Sequence, residues 1–74
     1  MRLYDFEVLK DGAVVSVERA VVLADARAAW PEVERIARRH SESGFKIRVK
    51  DEAGRIVILT GVAAVLRHAS MLAA

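Results

Sequence analysis

Residues 3–9 alternate between apolar and polar side chains, which is the period of a half-buried β-strand. The apolar side chains that share one face of this predicted strand are Tyr4, Phe6 and Val8. Asp11 and Gly12 then supply residue types that accept a positive φ in a tight hairpin turn. We therefore predict a returning strand over residues 13–19 and a connector over residues 20–24.

The spacing changes to that of a helix after Asp25, whose carboxylate is suited to accept the free N–H groups of a first helical turn. One stripe of this predicted helix is apolar and faces the core. It consists of Ala26, Ala29, Trp30, Val33, Ile36, Ala37 and His40. Pro31 lacks a backbone N–H and clashes with the carbonyl four residues before it, so we expect a kink or break near Trp30. Gly44 is the predicted C-cap.

A second hairpin is predicted after this helix. Residues 45–50 alternate again, with Phe45, Ile47 and Val49 pointing inward, and residues 51–54 form a turn. Residues 55–59 are apolar on both faces, which is typical of a central or covered strand.

The period becomes helical again after Thr60, which is a possible cap. Residues 62–72 are therefore predicted to form a final helix, and a strand continuing into Val62 and Ala63 is the alternative.

These elements predict an α+β fold in one domain of residues 1–74. Their order is β-β-α-β-β(-α), with one antiparallel sheet and helix packed on one face. If the first and third strands pair, acidic and basic side chains face each other across them and favour that register. The residues concerned are Asp5 and Glu7 on the first strand and Lys46, Arg48 and Lys50 on the third.

Several short motifs together follow a recurring layout. They are Tyr4-Asp5-Phe6-Glu7-Val8, Asp11-Gly12, Leu23-Ala24-Asp25 before an Ala/Arg-rich helix, and Val49-Lys50-Asp51-Glu52-Ala53-Gly54-Arg55. Over residues 3–59 the chain resembles a family of short bacterial proteins of unknown function, abundant in rhizobia and related Alphaproteobacteria. Family members often have Pro where this chain has Ala24, and a helix former where it has Pro31. The resemblance implies the same fold and brings no activity, cofactor or catalytic residue.

Composition narrows the class of protein. Apolar residues make up 54% of the chain, which indicates a packed core, and there is no Cys for a disulfide or a thiolate metal site. A core of this size contributes about 3–5 kcal/mol of net stability, so we expect self-association. The N-terminus lacks the apolar run of a signal peptide, and no run is long enough to span a membrane. We expect a cytoplasmic protein.

No catalytic or cofactor-binding motif stands out in the residue pattern. His40 and His68 are the two histidines, and neither has further metal ligands at local spacing. No serine lies in a strand–turn–helix elbow, and the glycines are too dispersed for a phosphate-binding loop. We therefore expect no enzyme activity, no metal and no cofactor.

The apolar surplus is the most informative feature, because an exposed apolar patch usually marks an interface. We predict a homodimer, and a function as a small homo-oligomeric protein-interaction module that also binds a protein partner. The predicted interface residues are Val57, Leu59, Val62, Val65, Leu66 and Leu72. Trp30 is interpreted as a core residue in preference to an interface anchor.

The alternative function is that of a nucleic-acid-binding accessory protein. It would use the basic row of Lys46, Arg48 and Lys50 on one face of the sheet. Against it, the 12 basic and 10 acidic residues leave a formal net charge of only +2. A nucleic-acid reader usually has a clustered basic surplus, and the aromatic side chains of this chain are predicted to lie on the opposite face.

Overall fold

A computed structural model of the chain describes the backbone of residues 1–73 and the side chains of residues 1–71. The elements are β1 (Arg2–Lys10), β2 (Ala13–Leu23), a 3-10 turn (Ala26–Ala28), α1 (Ala29–Arg39), β3 (Phe45–Lys50), β4 (Ile56–Gly61) and α2 (Val62–Ala73). The strands form one antiparallel sheet in the order β2-β1-β3-β4. The predicted α+β fold is confirmed, and α2 replaces the alternative of a continued strand.

The core lies between one face of the sheet and the two helices. Alternation along β1 and β3 places their apolar side chains on this face, as the sequence predicts. The buried residues are Tyr4, Phe6 and Val8 of β1, Ala29, Val33, Ile36 and Ala37 of α1, Ile47 and Val49 of β3, Ile58 of β4, and Val62 and Val65 of α2. Phe45 of β3 is partly buried and packs against this cluster. Every strand except β2 contributes at least one buried side chain to the core.

The first hairpin turns where the sequence predicts. Asp11 has φ 52° and Gly12 has φ 79°, and both values lie in the left-handed region that a two-residue hairpin turn requires. β2, however, continues to Leu23, so the predicted connector over residues 20–24 is wrong.

A β-bulge explains why β2 is longer than predicted. Tyr4 pairs with Val21 and Phe6 pairs with Glu18, so Asp5 faces an extra residue on β2. The bulge includes Ala20, which has φ 55° and whose backbone N–H donates to Asp5 Oδ1 at 2.9 Å. Because the Asp5 side chain satisfies this N–H, strand pairing resumes at Val21 instead of ending.

The start of α1 reconciles the predicted cap with the proline. Asp25 Oδ1 accepts a hydrogen bond from the Ala28 backbone N–H at 3.1 Å, which confirms the predicted N-cap. The first turn is 3-10, and the α-helix begins only at Ala29. Pro31 therefore lies in the first α-helical turn, where its missing N–H breaks no helical hydrogen bond. The interruption expected near Trp30 is this change from 3-10 to α geometry.

The helix ends earlier than predicted. α1 stops at Arg39 with His40 as its C-cap, whose backbone N–H donates to the Ala37 carbonyl at 3.1 Å. Gly44 has φ 93° and belongs to the turn before β3, so its assignment as the C-cap is wrong. The short hydrogen bond from His40 closes the last helical turn and leaves residues 41–44 to reverse the chain.

The second hairpin is built on Asp51. Its Oδ1 accepts from the backbone N–H groups of Ala53 and Arg55, both at 2.9 Å, and Gly54 takes φ 81°. The predicted turn is confirmed. β4 nevertheless lies at the edge of the sheet, so of the two predicted positions the central one is wrong and the covered one stays a prediction.

We expect Ala20→Gly to raise the free energy of unfolding by roughly 0.5–1 kcal/mol. A side chain in the left-handed region costs about 1–2 kcal/mol, and the larger conformational entropy of glycine in the unfolded chain offsets part of that gain. Urea unfolding at a fixed protein concentration measures the difference. Ala13→Gly is the matched control, because Ala13 lies in the same strand without a positive φ, and it should lower stability. A lowered midpoint for Ala20→Gly would contradict the strain assigned to the bulge.

Candidate functional site

The sheet face opposite the helices, here called the open face, has a regular distribution of charge. Val17 of β2, Glu7 of β1, Arg48 of β3 and Leu59 of β4 are successive cross-strand partners in a single row. Charged side chains thus concentrate on the two central strands, and apolar side chains concentrate on the two edge strands. The other exposed apolar residues of the edge strands are Val14, Val15, Val22, Ile56 and Val57.

An ion cluster occupies the centre of the open face. Arg48 Nε donates to Glu7 Oε1 at 2.7 Å, and Lys50 Nζ lies 3.3 Å from the same oxygen. The hydrogen bond from Arg48 holds the pKa of Glu7 below its usual value, and Lys50 lowers it further, although burial of the carboxylate works in the opposite direction. The predicted alignment of acidic β1 with basic β3 is confirmed by the pairs Asp5↔Lys50 and Glu7↔Arg48.

The basic row behaves differently from a bare cationic surface. Lys46, Arg48 and Lys50 do share the open face, but Glu7 engages two of the three. The aromatic rings of Tyr4 and Phe6 are buried on the other face of the sheet. The open face therefore presents a small positive surplus beside aliphatic side chains, without a ring on which a base could stack.

The residues predicted to form a dimer interface divide into two groups. Val62 and Val65 belong to the core of the single chain, so their assignment to an interface is wrong. The reason is that α2 starts directly after β4 and folds back over the helix-covered face, which points these two side chains into the sheet. Leu66 is half-buried against the same core. The side chain of Leu72 lies outside the described part of the chain.

Val57 and Leu59 remain available at the surface. Leu59 is 60% exposed on the open face, and Ile56 at the start of the same strand is 53% exposed. β4 has a neighbour on one side only, so its other side is a free strand edge. The sequence Ile56–Gly61 carries no charged residue and no proline, and these are the features by which natural sheets usually protect such an edge.

The opposite edge of the sheet is protected. β2 has two irregularities, one at Ala20 and one at Val15, where Val8 pairs with Ser16 and Leu9 pairs with Val14. Bulges twist an edge and interrupt the run of groups that another strand needs for pairing. Glu18 is also held in place, because Arg35 Nη2 of α1 donates to both of its carboxylate oxygens at 2.9 and 3.0 Å. β4 has one such irregularity, at Val57, because Val49 pairs with Ile58 and Lys50 pairs with Ile56. The two edges therefore differ in the number of bulges and in the charge that they carry.

Trp30 lies at the surface, so its interpretation as a core residue is wrong. It is 49% exposed, because the buried stripe of α1 runs through Ala29 and Val33 and leaves Trp30 beside it, facing α2. It lines an open groove of about 550 Å³ between the two helices, here called the interhelical groove. The residues that line it are Trp30, Pro31 and Glu34 of α1, Thr60 of β4, and Ala64, Val65, His68 and Ala69 of α2. This groove was not among the predictions from the sequence. The small residues Ala64 and Ala69 on α2 are the feature of the sequence that indicates it.

The two histidines lie in separate surroundings. The ring of His40 packs at 5.2 Å from that of Phe45, and His68 lines the interhelical groove. Within residues 1–71, no three side chains of His, Asp or Glu lie close enough to hold a metal ion. No helix in the part of the chain that the structure describes is long and apolar enough to cross a membrane.

We expect Glu7→Gln to lower the free energy of unfolding at neutral pH and to have a smaller effect in acid. Because the pKa of Glu7 is lowered in the folded chain, its stabilisation is present above the unfolded value of about 4.3 and is lost as the pH falls through the folded value. Urea unfolding of both proteins between neutral pH and pH about 3 tests this. Glu42→Gln, at an exposed site, is the control. A pH-independent difference would contradict the assigned ion cluster.

Comparison of the chain with protein-family models, with curated proteins and with solved structures finds no match. The resemblance to a rhizobial family therefore stays a prediction, and the functional argument rests on the geometry of the sheet and its surface.

Proposed function

We propose that this protein is a small homo-oligomeric protein-interaction module without catalytic activity, and that its dimer forms by pairing of β4 with β4 of a second copy. The observation that supports this proposal is the free, uncharged edge of β4 with Leu59 and Ile56 exposed beside it. Unpaired backbone N–H and C=O groups along a strand edge bind another strand, and apolar neighbours add cross-strand contacts.

The distribution of charge on the open face favours pairing at the edge over stacking of two sheets. Stacking would bury the Glu7–Arg48–Lys50 cluster against a copy of itself, and removing such charges from water costs several kcal/mol per ion. Edge pairing leaves the cluster in solvent. It brings Leu59 of one copy beside the β4 side chains of the other, where apolar area is removed from water.

Symmetry makes a second copy a suitable partner for this edge. Two identical strands that pair antiparallel are related by a two-fold axis, which gives a closed dimer with the same surface on both sides. The helix α2 follows β4 without a loop, so in such a dimer the two α2 helices would approach each other over the paired β4 strands. The side of α2 away from the interhelical groove carries Ala63, Leu66 and Ser70 at helical spacing. These residues would extend the interface from the strand to the helix.

The titratable groups also favour a structural role over a catalytic one. The pKa of Glu7 is lowered by Arg48 and Lys50, and the pKa of Arg35 is raised by Glu32 and Glu18. Both groups are held in ion pairs that join secondary-structure elements, and such pairs perturb pKa values without a catalytic purpose.

The nucleic-acid alternative has less support from the geometry. Lys46 is exposed and accessible to a phosphate. Arg48 and Lys50, however, would have to leave their ion pairs with Glu7 before they could contact a phosphate. Binding of a labelled single-stranded oligonucleotide across a salt series distinguishes the two functions, because phosphate contacts weaken steeply with salt. If the protein binds the oligonucleotide at physiological salt and Lys46→Ala does not, the result favours the nucleic-acid-binding function.

We expect Leu59→Lys to convert the dimer to a monomer, with a dissociation constant raised by about 100-fold or more, as for a central interface residue. The wild type should sediment at twice the chain mass of 8.1 kDa and the variant at the chain mass. Leu59 is 60% exposed, so this substitution does not disturb the core. Circular dichroism verifies the fold.

Val22→Lys is the matched control for this experiment. Val22 is exposed to a similar extent on the open face of β2, the other edge of the sheet. The Val22→Lys substitution should leave the dimer intact. Dissociation by Val22→Lys alone would place the interface at β2, and a wild-type protein of single-chain mass at all concentrations would refute the dimer.

A further inference from the structure

The interhelical groove has the size of a small-molecule site, and apart from Thr60 of β4 its lining residues belong to the two helices. Its volume of about 550 Å³ falls within the range of roughly 300–1,000 Å³ that is typical of ligand pockets. Ala64 and Ala69 leave room between the helices, and Val65 closes the floor toward the core. An apolar body of a few carbon atoms would be in contact with aliphatic side chains there.

One wall of the groove combines an aromatic ring with a carboxylate. Trp30 and Glu34 are four residues apart on α1, so they lie on the same face of the helix one turn apart. About half of the Trp30 surface is exposed, and tryptophan is the aromatic residue that attracts cations most strongly.

The Glu34 carboxylate is only partly occupied. Its Oε1 accepts a hydrogen bond from Arg38 Nη2 at 2.6 Å, whereas its Oε2 has no hydrogen-bond partner among the side chains that the structure describes. A carboxylate accepts about four hydrogen bonds in total, so the second oxygen has capacity for another donor or cation.

The charge of the lining residues selects the sign of a ligand. None of the eight residues that line the groove is Lys or Arg, although the chain holds 12 of them. With histidine counted as neutral, Glu34 is the one formally charged residue among these eight, all of which lie within residues 1–71, and its partner Arg38 is not one of the eight. A cation would therefore meet a carboxylate and an indole face, and an anion would meet the carboxylate.

We propose that the interhelical groove binds a small organic ammonium ion that carries an apolar body. The body packs on Ala64, Val65 and Ala69, and the ammonium group lies between the Trp30 ring and Glu34 Oε2. This site is independent of dimer formation at β4, since none of its residues belongs to the exposed side chains of that edge.

Trp30 provides the probe for the experiment, because it is the only tryptophan in the chain. Its fluorescence is followed during titration with hexyltrimethylammonium, and in parallel with hexanol and hexanoate, which have the same carbon chain without charge or with the opposite charge. We expect saturable binding of the ammonium ion, binding of hexanol at least about fivefold weaker because the cation–π and carboxylate contacts are absent, and the weakest effect from hexanoate. Equal affinity for the three compounds, or no saturation by the ammonium ion, would overturn the proposal.

Two exposed charged residues allow a sharper test. Glu34→Gln should weaken binding of the ammonium ion about threefold or more and leave binding of hexanol unchanged. Arg38→Ala should strengthen it, because the carboxylate loses its competing partner. Opposite shifts in these two variants are not expected from a structural role of the Glu34–Arg38 pair, since both variants break it. An unchanged or parallel response would contradict the proposed ammonium site.

Two control variants complete the design. Glu42→Gln removes an exposed carboxylate outside the groove and should change nothing. Ala64→Leu fills the groove from an exposed position and should abolish binding of both the ammonium ion and hexanol while the circular dichroism spectrum is retained. Leu59→Lys should bind the ammonium ion as the wild type does, so failure of the ligand site and failure of the dimer are distinguishable.

Discussion

The pairing of β1 with β3 joins the two hairpins of this protein, and the hydrogen bond from Arg48 to Glu7 lies at the centre of that pairing. Each hairpin is held together by its own turn, but the sheet as a whole depends on this junction. Its register decides which residues meet on both faces. On one face it aligns Phe6 with Val49 and Val8 with Ile47, which forms the part of the core on which the helices pack. A slip of one residue would move every one of these side chains to the opposite face.

The same ion cluster shapes the surface. Because the centre of the open face is charged and hydrogen-bonded, most exposed aliphatic side chains of the sheet lie on the edge strands β2 and β4, and Leu3 of β1 is the exception. A sheet designed to be covered by another layer has the reverse arrangement, with apolar residues at its centre. The edge of β2 is interrupted by two bulges and carries Glu18 and Arg19, whereas β4 has one bulge, at Val57, and an edge without charge. The proposed dimer thus follows from the position of Glu7 as much as from the residues of β4 itself.

The helices are positioned by features that also open the groove between them. Pro31 lies in the first turn of α1, which begins at Ala29, and Trp30 and Pro31 line the groove beside α2. Arg35 of α1 is hydrogen-bonded to Glu18 of β2, so α1 is joined to the β2 edge while it shares one face of the sheet with α2. The small side chains of α2 do not fill the space that remains. The groove is consequently a result of where the two helices are anchored.

The sequence by itself determined the elements and their order, both hairpin turns, the Asp25 cap and the acidic–basic alignment of β1 with β3. The elements depend on the alternation of apolar and polar residues, the turns depend on residues that accept a positive φ, and the cap depends on a hydrogen bond within a few residues. The alignment of β1 with β3 depends on the charge pattern along the two strands. Only the tertiary structure decided that β4 is an edge, that Val62 and Val65 are buried, that Trp30 is exposed and that β2 continues past Ala20. The periodicity of an element shows which of its sides is apolar, but not what that side meets. The burial of Val62 and Val65, the exposure of Trp30 and the continuation of β2 depend on contacts between elements far apart in the chain. The hydrogen bond from the Ala20 backbone N–H to the Asp5 side chain is one such contact.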